Sequence, residues 1–496
     1  MEQKIGFSWL KEFYKLNKCS LKHQSFIGKK DGIEMTSKGV VLQVFRSSKF
    51  AVENNPLEHL VFGMKYDYLD FHLIKSVFKK IPEKEIIDFI GNSPSGIYSK
   101  KIGFLYEFLM DKSLDLDFVI SGNYVDLLDR KKYIVGKTVK NSKWKINDNL
   151  LGTPEFCPIV RKTIEIETFQ NIDISAQITQ LRKEYPLDIF NRATNYLYGK
   201  ETKSSYEIEH EKPSPKRIER FVSLLMKAGT IGEEEMFEEK NLTLLQNEIV
   251  DPRFAVKSYR DFQNYVGQSL PNYSEMLHYI CPPPELVPSL MDGLKQVALK
   301  TGTTSTLVRA SVLSFGFVFI HPFEDGNGRL HRFLIHDTLV RDKVVPDGLI
   351  IPVSAHILNN LKEYDAVLED FSRELMHIID YDKDDKGIIQ VLNLEEIESY
   401  YRFPDLTVQT SFLGKTIQET VMTDIPNELE FIMRYDELRL SIQEIVDMPD
   451  REIHLMIQFL HQNKGVFPKR RRKDFEKITD AEIELMEKEY QTIFEL

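Results

Sequence analysis

The feature that most restricts the fold of this chain is a strongly apolar segment that ends in a glycine-rich loop. Residues from about Thr304 to Ile320 have helical spacing. The apolar positions are Val308, Val312, Phe315 and Phe319 on one face, with Leu313, Phe317 and Ile320 covering much of the rest. A helix that is apolar all round is buried. Pro322 and two glycines then end the regular structure, and a second helix is expected to begin near Asn327.

The loop between these two helices combines residues that suit a phosphate group. Free N–H groups at the start of a helix attract anions, and Gly326 and Gly328 allow the backbone to approach a phosphate closely. Arg329 and Arg332 lie three residues apart on one helical face, so both can reach the same anion. Asn327 lies between the two glycines. The segment therefore predicts a binding site for a phosphorylated ligand.

Two acid–base residues in the same segment indicate group transfer to a hydroxyl. Asp325 is a lone carboxylate beside the expected phosphates, which is a typical anchor for Mg²⁺. His321 follows the apolar helix, and an imidazole that titrates near neutral pH can remove a hydroxyl proton. Each residue alone is more often structural, but their joint spacing favours phosphoryl or nucleotidyl transfer. The chain has no GxxxxGK[ST] sequence, so this is not a Walker loop.

The run from His321 to Arg332 resembles the Fic family signature, HxFx[D/E]GN[G/K]RxxR, and matches it at every constrained position. The resemblance implies an all-α core and AMP transfer from ATP with Mg²⁺. It implies that His321 is the general base, that Phe323 fixes the loop and that Asp325 holds Mg²⁺. The implied nucleotide-binding residues are Gly326, Asn327 and Gly328 at the α-phosphate, with Arg329 and Arg332 at the β- and γ-phosphates.

The resemblance extends to both sides of the signature. The strand-like piece from Arg260 to Ile280, closed by three prolines, is similar to the family's flap, a hairpin that aligns the target protein by strand addition. Asn360 to Tyr364 resembles the helix that closes the adenine side of the pocket. Tyr364 is thus a candidate neighbour of the nucleotide, and packing in the core is an equal alternative.

An inhibitory helix is a further implied element. Ser205 and Glu209 match the family's [S/T]xxxE[G/N] motif, lie four residues apart and precede the core, as in a multidomain bacterial subgroup. The resemblance implies that Glu209 pairs with Arg332 and competes there with the γ-phosphate. His210 departs from the motif, since Gly or Asn suits a left-handed helix end better. The alternative is a solvated acidic stretch.

The expected architecture is mainly α. It comprises a mixed α/β N-terminal domain (1–200), a Fic domain (201–381) with an inhibitory helix near 204–211 and a flap hairpin, and a helical C-terminal domain (382–496). The last helix has a capping box from Thr479 to Glu482. Short turns near Pro449 and Gly465 are compatible with a winged-helix or helix-turn-helix unit and equally with a helical lid.

Composition excludes several other classes of protein. A net charge of −11 argues against a general nucleic-acid coat, although the basic run from Lys469 to Lys473 leaves nucleic-acid binding open. Three scattered cysteines argue against a thiolate zinc site and favour a reducing compartment. The apolar run from Ala310 to Ile320 is shorter than a membrane span, and no signal peptide is evident. A cytoplasmic location is expected, with no membrane partner.

The sequence thus predicts a protein adenylyltransferase that modifies Ser, Thr or Tyr of a target protein bound along the flap. Transfer of another nucleotide, such as UMP, or removal of AMP with Glu209 positioning a water are related alternatives. A different class of function is a regulatory protein that binds nucleotide in the core and acts through its C-terminal domain.

Overall fold

The structure is a computed structural model that describes residues 3–37, 39–50, 52–269, 275–346, 348–384 and 386–494. Within these residues the chain forms 21 α-helices and 11 short strands, so the expected mainly α architecture is confirmed. None of the described helices is both long enough and apolar enough to cross a bilayer.

The N-terminal region combines two small sheets with five helices. Its strands are β1 (Gln3–Ile5), β2 (His23–Gly28), β3 (Gly32–Met35), β4 (Val41–Arg46), β5 (Val125–Asp126), β6 (Val139–Asn141) and β7 (Ile146–Asp148). Its helices are α1 (Phe7–Phe13), α2 (Pro56–Tyr66), α3 (Phe71–Phe78), α4 (Glu83–Asn92) and α5 (Ile97–Met110). The first sheet has the order β1-β2-β4-β3, with β2 and β4 parallel, and the second has the order β5-β7-β6. This confirms the mixed α/β character expected for the region.

The middle of the chain is a helical assembly with one hairpin. Its helices are α6 (Ile164–Gln170), α7 (Ile174–Glu184), α8 (Leu187–Ile208), α9 (Pro215–Leu225), α10 (Glu233–Met236), α11 (Glu239–Ile249), α12 (Val287–Lys300), α13 (Thr306–Ile320), α14 (Asn327–Arg341), α15 (Val353–Asn359) and α16 (Leu361–Ile378). The hairpin, β8 (Tyr265–Ser269) and β9 (Glu275–Ile280), lies where the flap was predicted. Residues 270–274 of the predicted flap lie outside the described residues.

The rest of the chain is helical apart from a second hairpin, β10 (Tyr381–Lys383) and β11 (Ile389–Val391), which was not predicted. The helices that follow are α17 (Leu394–Arg402), α18 (Thr407–Glu419), α19 (Ile425–Ile445), α20 (Asp450–Gln462) and α21 (Asp480–Ile493). A π-turn at Thr420–Asp424 joins α18 to α19. No strand follows Val391 up to residue 494, so the C-terminal unit has no wing. The predicted capping box at Thr479 and Glu482 is present.

Packing places α13 at the centre of the molecule. It contacts α12, α14 and α18, and nearly all of its side chains are buried, as its apolar pattern predicts. The largest hydrophobic cluster runs from Ile134 to Leu429, a second lies in the N-terminal region and a third runs from Leu438 to Tyr490. The domain boundaries near 200 and 381 stay predictions.

The helix that was predicted to be inhibitory is longer than expected. It is the end of α8, a helix of 22 residues that begins at Leu187, and Glu209 is its C-terminal cap residue. The buried side chains of Phe190, Ala193 and Leu197 extend the apolar face upstream. The polar composition after residue 199 suggested a domain boundary there. The helix continues past this point because its side chains that face the core stay buried, although several of them are polar.

Candidate functional site

The loop between α13 and α14 is held in shape by its own side chains. Phe323 is fully buried. The Asn327 amide donates to the Phe323 carbonyl at 2.8 Å, and its oxygen accepts from the Phe323 N–H at 3.0 Å. Gly326 precedes α14 with a φ of 85°, a conformation that favours glycine. The Asn327 side chain therefore shapes the loop, and the first N–H groups of α14 provide the anion-binding end.

His321 lies at the left-handed end of α13, with a φ of 53°. Its Nδ1 is 3.2 Å from the Val318 carbonyl, which can only accept, so Nδ1 carries the proton in this contact and Nε2 keeps a lone pair. Burial lowers the pKa of His321 to about 4. The ring is therefore neutral at pH 7 and can accept a proton.

Arg329 is a fully buried guanidinium surrounded by three carboxylates. Its Nη2 lies 2.7 Å from Asp325 Oδ1 and 3.0 Å from Glu211 Oε1, and its Nε lies 2.8 Å from Glu209 Oε2. Burial acts to lower the pKa of Arg329, but these carboxylates reverse the effect and raise it. Neither its Nη1 nor its Nε makes a hydrogen bond to a described residue, so the Nε contact with Glu209 is an ion pair without hydrogen-bond geometry. Donors on both nitrogens of this buried cation are thus available to another anion.

Arg332 is also buried, and it donates three hydrogen bonds to the end of α8. Its Nε donates to the Ser205 hydroxyl at 2.7 Å, and its Nη2 donates to the Ser205 carbonyl and to Glu209 Oε1, each at 2.7 Å. Glu209 therefore spans both arginines of the signature, with one carboxylate oxygen on each. Sequence reasoning predicted the contact with Arg332 but not the one with Arg329.

The end of α8 fixes Glu209 over the start of α14. The N–H of Glu211 donates to the Tyr206 carbonyl at 3.0 Å and that of His210 to the Glu207 carbonyl at 2.9 Å, the pattern of a Schellman motif. His210 occupies its left-handed position with a φ of 57°. The Glu209 carboxylate lies where a β-carbon on Gly328 would be. It thus takes a position at the helix N-terminus that an anionic ligand would favour.

Three buried polar residues anchor α8 to the core, and sequence reasoning did not find them. Glu201 accepts from the Ser354 N–H at 2.7 Å and pairs with His336 Nε2 at 2.8 Å. Glu201 and Ser354 are fully buried and His336 nearly so. The sequence did contain a signal for Glu201, since this residue lies four positions before Ser205 and so on the same helical face.

Asp325 is the most exposed of the clustered carboxylates, with 49% of its side chain accessible. Its Oδ1 accepts from the Gly326 N–H at 2.6 Å and from Arg329. Glu209, Glu211 and Asp325 each bring a carboxylate oxygen within 4.8 Å of the others. An accessible carboxylate beside an anion-binding helix end fits the oxygen ligands that Mg²⁺ prefers.

Tyr364, on α16, is buried. Its ring centre lies 6.4 Å from that of His331 and 5.9 Å from that of Phe412. Burial raises the pKa of its hydroxyl, and the nearby Arg332 guanidinium opposes that rise. Tyr364 thus lies in the core close to Arg332, and its contact with a nucleotide stays a prediction.

The basic run near the C-terminus is partly engaged by its own unit. It forms a 3₁₀ helix, Lys469–Phe475. Arg472 donates to the Phe475 and Ile478 carbonyls and pairs with Asp480. Arg471 pairs with Asp474 at 3.3 Å. These two cations stabilise the local fold, which weakens the case for a nucleic-acid surface built on the whole run.

Comparison with known proteins supports the motif. Residues 233–339 match the sequence model of the Fic/DOC family, so the chain contains a Fic/DOC family domain. Fic domain proteins are typically transferases that act on proteins. The matched range includes the flap and the whole signature but not Ser205 or Glu209. No curated protein sequence matches the chain.

Two solved structures are similar to this chain at low identity. A Fic family protein from Desulfovibrio desulfuricans G20 shares 17% identity, covering 63% of this chain and 87% of its own, with a TM-score of 0.37. A Fic domain containing signaling protein from Bacteroides thetaiotaomicron VPI-5482 shares 16% identity, covering 52% of this chain and 95% of its own, with a TM-score of 0.33. Likeness at this level carries no argument about activity.

Proposed function

We propose that this chain transfers AMP from ATP to a Ser, Thr or Tyr hydroxyl of a target protein. The observation that carries the proposal is the convergence of a neutral His321 and two buried arginines on one helix N-terminus. A hydroxyl near His321 Nε2 would lose its proton to that nitrogen as its oxygen bonds to the α-phosphorus. The bond from that phosphorus to the β-phosphate oxygen would break, and pyrophosphate would leave.

Charge explains why the site suits a triphosphate. The N–H groups that begin α14 and the Arg329 and Arg332 guanidiniums face one point of a buried surface, where the Glu209 carboxylate now offsets part of their positive charge. A phosphate that replaced Glu209 would take over that role. Gly328 leaves the approach to that point free of a side chain. Asp325 would hold Mg²⁺ beside the phosphates, where the ion would neutralise part of their charge.

The same contacts support autoinhibition by Glu209. One of its carboxylate oxygens accepts a hydrogen bond from Arg332 and the other forms an ion pair with Arg329, so a γ-phosphate would have to displace them. Both groups are anionic and would compete for the same donors. We therefore propose that α8 is a built-in brake and that ATP seats productively only when Glu209 leaves.

The test is labelling of the whole chain with Mg²⁺ and ATP that carries the label at either the α- or the γ-phosphate. The variants are wild type, Glu209→Gly and Glu209→Gly/His321→Ala. Glu207→Gly is the matched control, because Glu207 is exposed on the same turn of α8. Gel and intact-mass analysis should show an α-labelled adduct that is strongest in Glu209→Gly and absent without His321.

The other outcomes separate the alternatives. Label from the γ-phosphate alone would indicate a kinase-like reaction. An adduct with UTP but not ATP would indicate another nucleotidyl transfer. Equal labelling of Glu207→Gly and Glu209→Gly would contradict the brake. Loss of AMP from a modified protein in the wild type, absent in Glu209→Gly, would instead favour removal of AMP.

A further inference from the structure

Arg260, at the base of the flap, donates hydrogen bonds to carbonyls from three separate parts of the chain. Its Nε donates to the His321 carbonyl at 2.8 Å, its Nη1 to Phe262 at 2.8 Å and its Nη2 to Pro282 at 2.6 Å. Its backbone N–H donates to the Pro322 carbonyl at 2.9 Å. The side chain is 6% exposed and pairs with no carboxylate in the described structure. Its partners are therefore main-chain atoms only.

These contacts define a junction. Phe262 precedes β8, Pro282 follows β9, and His321 and Pro322 begin the loop of the signature. One planar guanidinium with donors in fixed directions thus holds both ends of the hairpin against the residue that carries the imidazole. A buried cation whose donors reach carbonyls fixes geometry, and among the described residues no carboxylate forms an ion pair with it.

We propose that Arg260 is a positioning residue that fixes the flap to the His321 loop, so that a hydroxyl on a segment bound along the flap lies within reach of His321 Nε2. This rests on the proposed transfer reaction, but the junction itself is independent of ATP. A misplacement of about 1 Å between reacting groups can lower a rate about a hundred-fold. Only the polypeptide chain joins the flap covalently to His321. Non-covalent contacts such as those of Arg260 must therefore hold the flap and the imidazole in a fixed relation.

Neighbouring side chains extend the junction. The Asn264 amide lies 3.3 Å from the carbonyls of both Phe323 and Glu324, and Gln263 donates to the Cys281 carbonyl at 2.6 Å. These bonds again join the flap to the loop and the start of the flap to its end. The Asn264 carbonyl also accepts from the Cys281 N–H at 3.1 Å, so Arg260 and Asn264 both make contacts of the two kinds. Arg260 makes both kinds with its side chain alone.

The guanidinium also acts electrostatically on the imidazole. Burial is the main reason that the pKa of His321 is low, and the positive charge of Arg260 lowers it further. Removal of that charge should therefore move the titration of His321 to higher pH, whereas a purely mechanical role elsewhere in the fold would leave it unchanged. This readout needs neither ATP nor a target protein.

The experiment compares Arg260→Gln and Arg260→Lys in the Glu209→Gly chain. Arg253→Gln is the matched control, because Arg253 is nearby in sequence, mainly exposed and paired only with Asp251 among charged groups. Three quantities are measured: the rate of automodification, the affinity for a fluorescent ATP analogue, and hydrogen exchange of β8 and β9. The pKa of His321 is followed by NMR of ¹³C-labelled histidine, assigned by comparison with His321→Ala.

We expect Arg260→Gln to lower the rate about ten- to a hundred-fold, to keep the affinity for the nucleotide analogue and to accelerate exchange in the flap. The pKa of His321 should rise in Arg260→Gln. It should stay near the parent value in Arg260→Lys, which retains the positive charge but not the guanidinium geometry. Arg260→Lys should still transfer slowly. Arg253→Gln should resemble the parent in every measurement.

If Arg260→Gln shows the same hydrogen exchange in the flap and the same pKa of His321 as Arg253→Gln, the proposal is overturned, whatever the rates show. A parallel loss of nucleotide affinity, thermal stability and rate would also overturn it, since that pattern means a general folding role. If the Glu209→Gly parent transfers nothing with any nucleotide, the proposed function fails, while exchange and titration still decide the role of Arg260.

Discussion

The carboxylate of Glu209 fills the space that a side chain at position 328 would need. Gly328 lies in the first turn of α14 and Glu209 caps the C-terminus of α8. A helix N-terminus with partial positive charge and a helix C-terminus with partial negative charge thus meet at this point. A side chain at 328 would therefore disturb the proposed brake as well as the proposed phosphate site. The space beside Gly328 can thus hold the Glu209 carboxylate or a bound phosphate, but not both.

Gly328→Ala should weaken the docking of α8 while Glu209 is present. The added methyl would collide with the carboxylate, and overpacking of this kind costs about 1–3 kcal/mol. In the Glu209→Gly chain the same substitution should cost clearly less, because the colliding group is gone. A double-mutant cycle of thermal stability, with hydrogen exchange of α8, measures the difference. Equal costs in both backgrounds would show that the two residues do not interact.

Ser205→Ala should release the brake in part. The Ser205 hydroxyl accepts from Arg332 Nε, and a hydrogen bond to a charged group contributes about 1.5–3 kcal/mol. The Ser205 carbonyl and Glu209 would still bind Arg332. The rate of automodification should therefore lie between those of wild type and Glu209→Gly. Ser204→Ala is the control, since Ser204 makes no described contact with Arg332, and a similar rate in both variants would contradict the assignment.

His210→Gly should strengthen the brake. His210 has a left-handed backbone conformation that costs a non-glycine residue about 1–2 kcal/mol. Glycine relieves most of this strain, so the Schellman end of α8 should become more stable and background automodification should fall. His210→Ala keeps the strain and is the control for loss of the imidazole. If both variants behave alike, the backbone conformation is not the cause.

The signature and its two helices could be predicted because the information is local. The all-round apolar pattern of α13 and the glycines after it fix a buried helix, a loop and a new helix within a short span. The contact of Glu209 with Arg332 was implied only by the family resemblance. No local pattern brings residues 123 positions apart together.

Other parts of the site depend on tertiary contacts that a single sequence does not reveal. The role of Arg260 rests on carbonyls up to 62 residues away in sequence, and nothing in its local sequence distinguishes it from other arginines. The hairpin β10–β11 was missed because its strands have only three residues each, too few to show a strand pattern. The full length of α8 was missed because its polar residues after 199 resemble a linker.

The N-terminal region should lose stability between about pH 4 and pH 7 because of Asp67. Its carboxylate is buried, accepting from the Phe7 N–H at 2.8 Å and from the Ser25 hydroxyl, yet burial raises its pKa to about 7. The folded state therefore keeps a proton that the unfolded chain loses above pH 4. The contribution of Asp67 to the free energy of unfolding is greatest at low pH and falls as pH rises through that window. It is fully lost above about pH 7, a decrease of up to about 4 kcal/mol.

Asp67→Asn should remove that part of the pH dependence, because an amide does not ionise. Its oxygen can still accept from the Phe7 N–H, while its NH2 can donate to the Ser25 hydroxyl. Both tryptophans of the chain, Trp9 and Trp144, lie in the N-terminal region, so their fluorescence during urea unfolding reports on this region alone. The free energy of unfolding of the variant, relative to wild type, should increase from pH 4 to pH 8. Asp88→Asn, on the exposed face of α4, is the control. Parallel profiles for wild type and Asp67→Asn would mean that Asp67 is already ionised in the folded chain across this range, held so by its two donors in spite of burial.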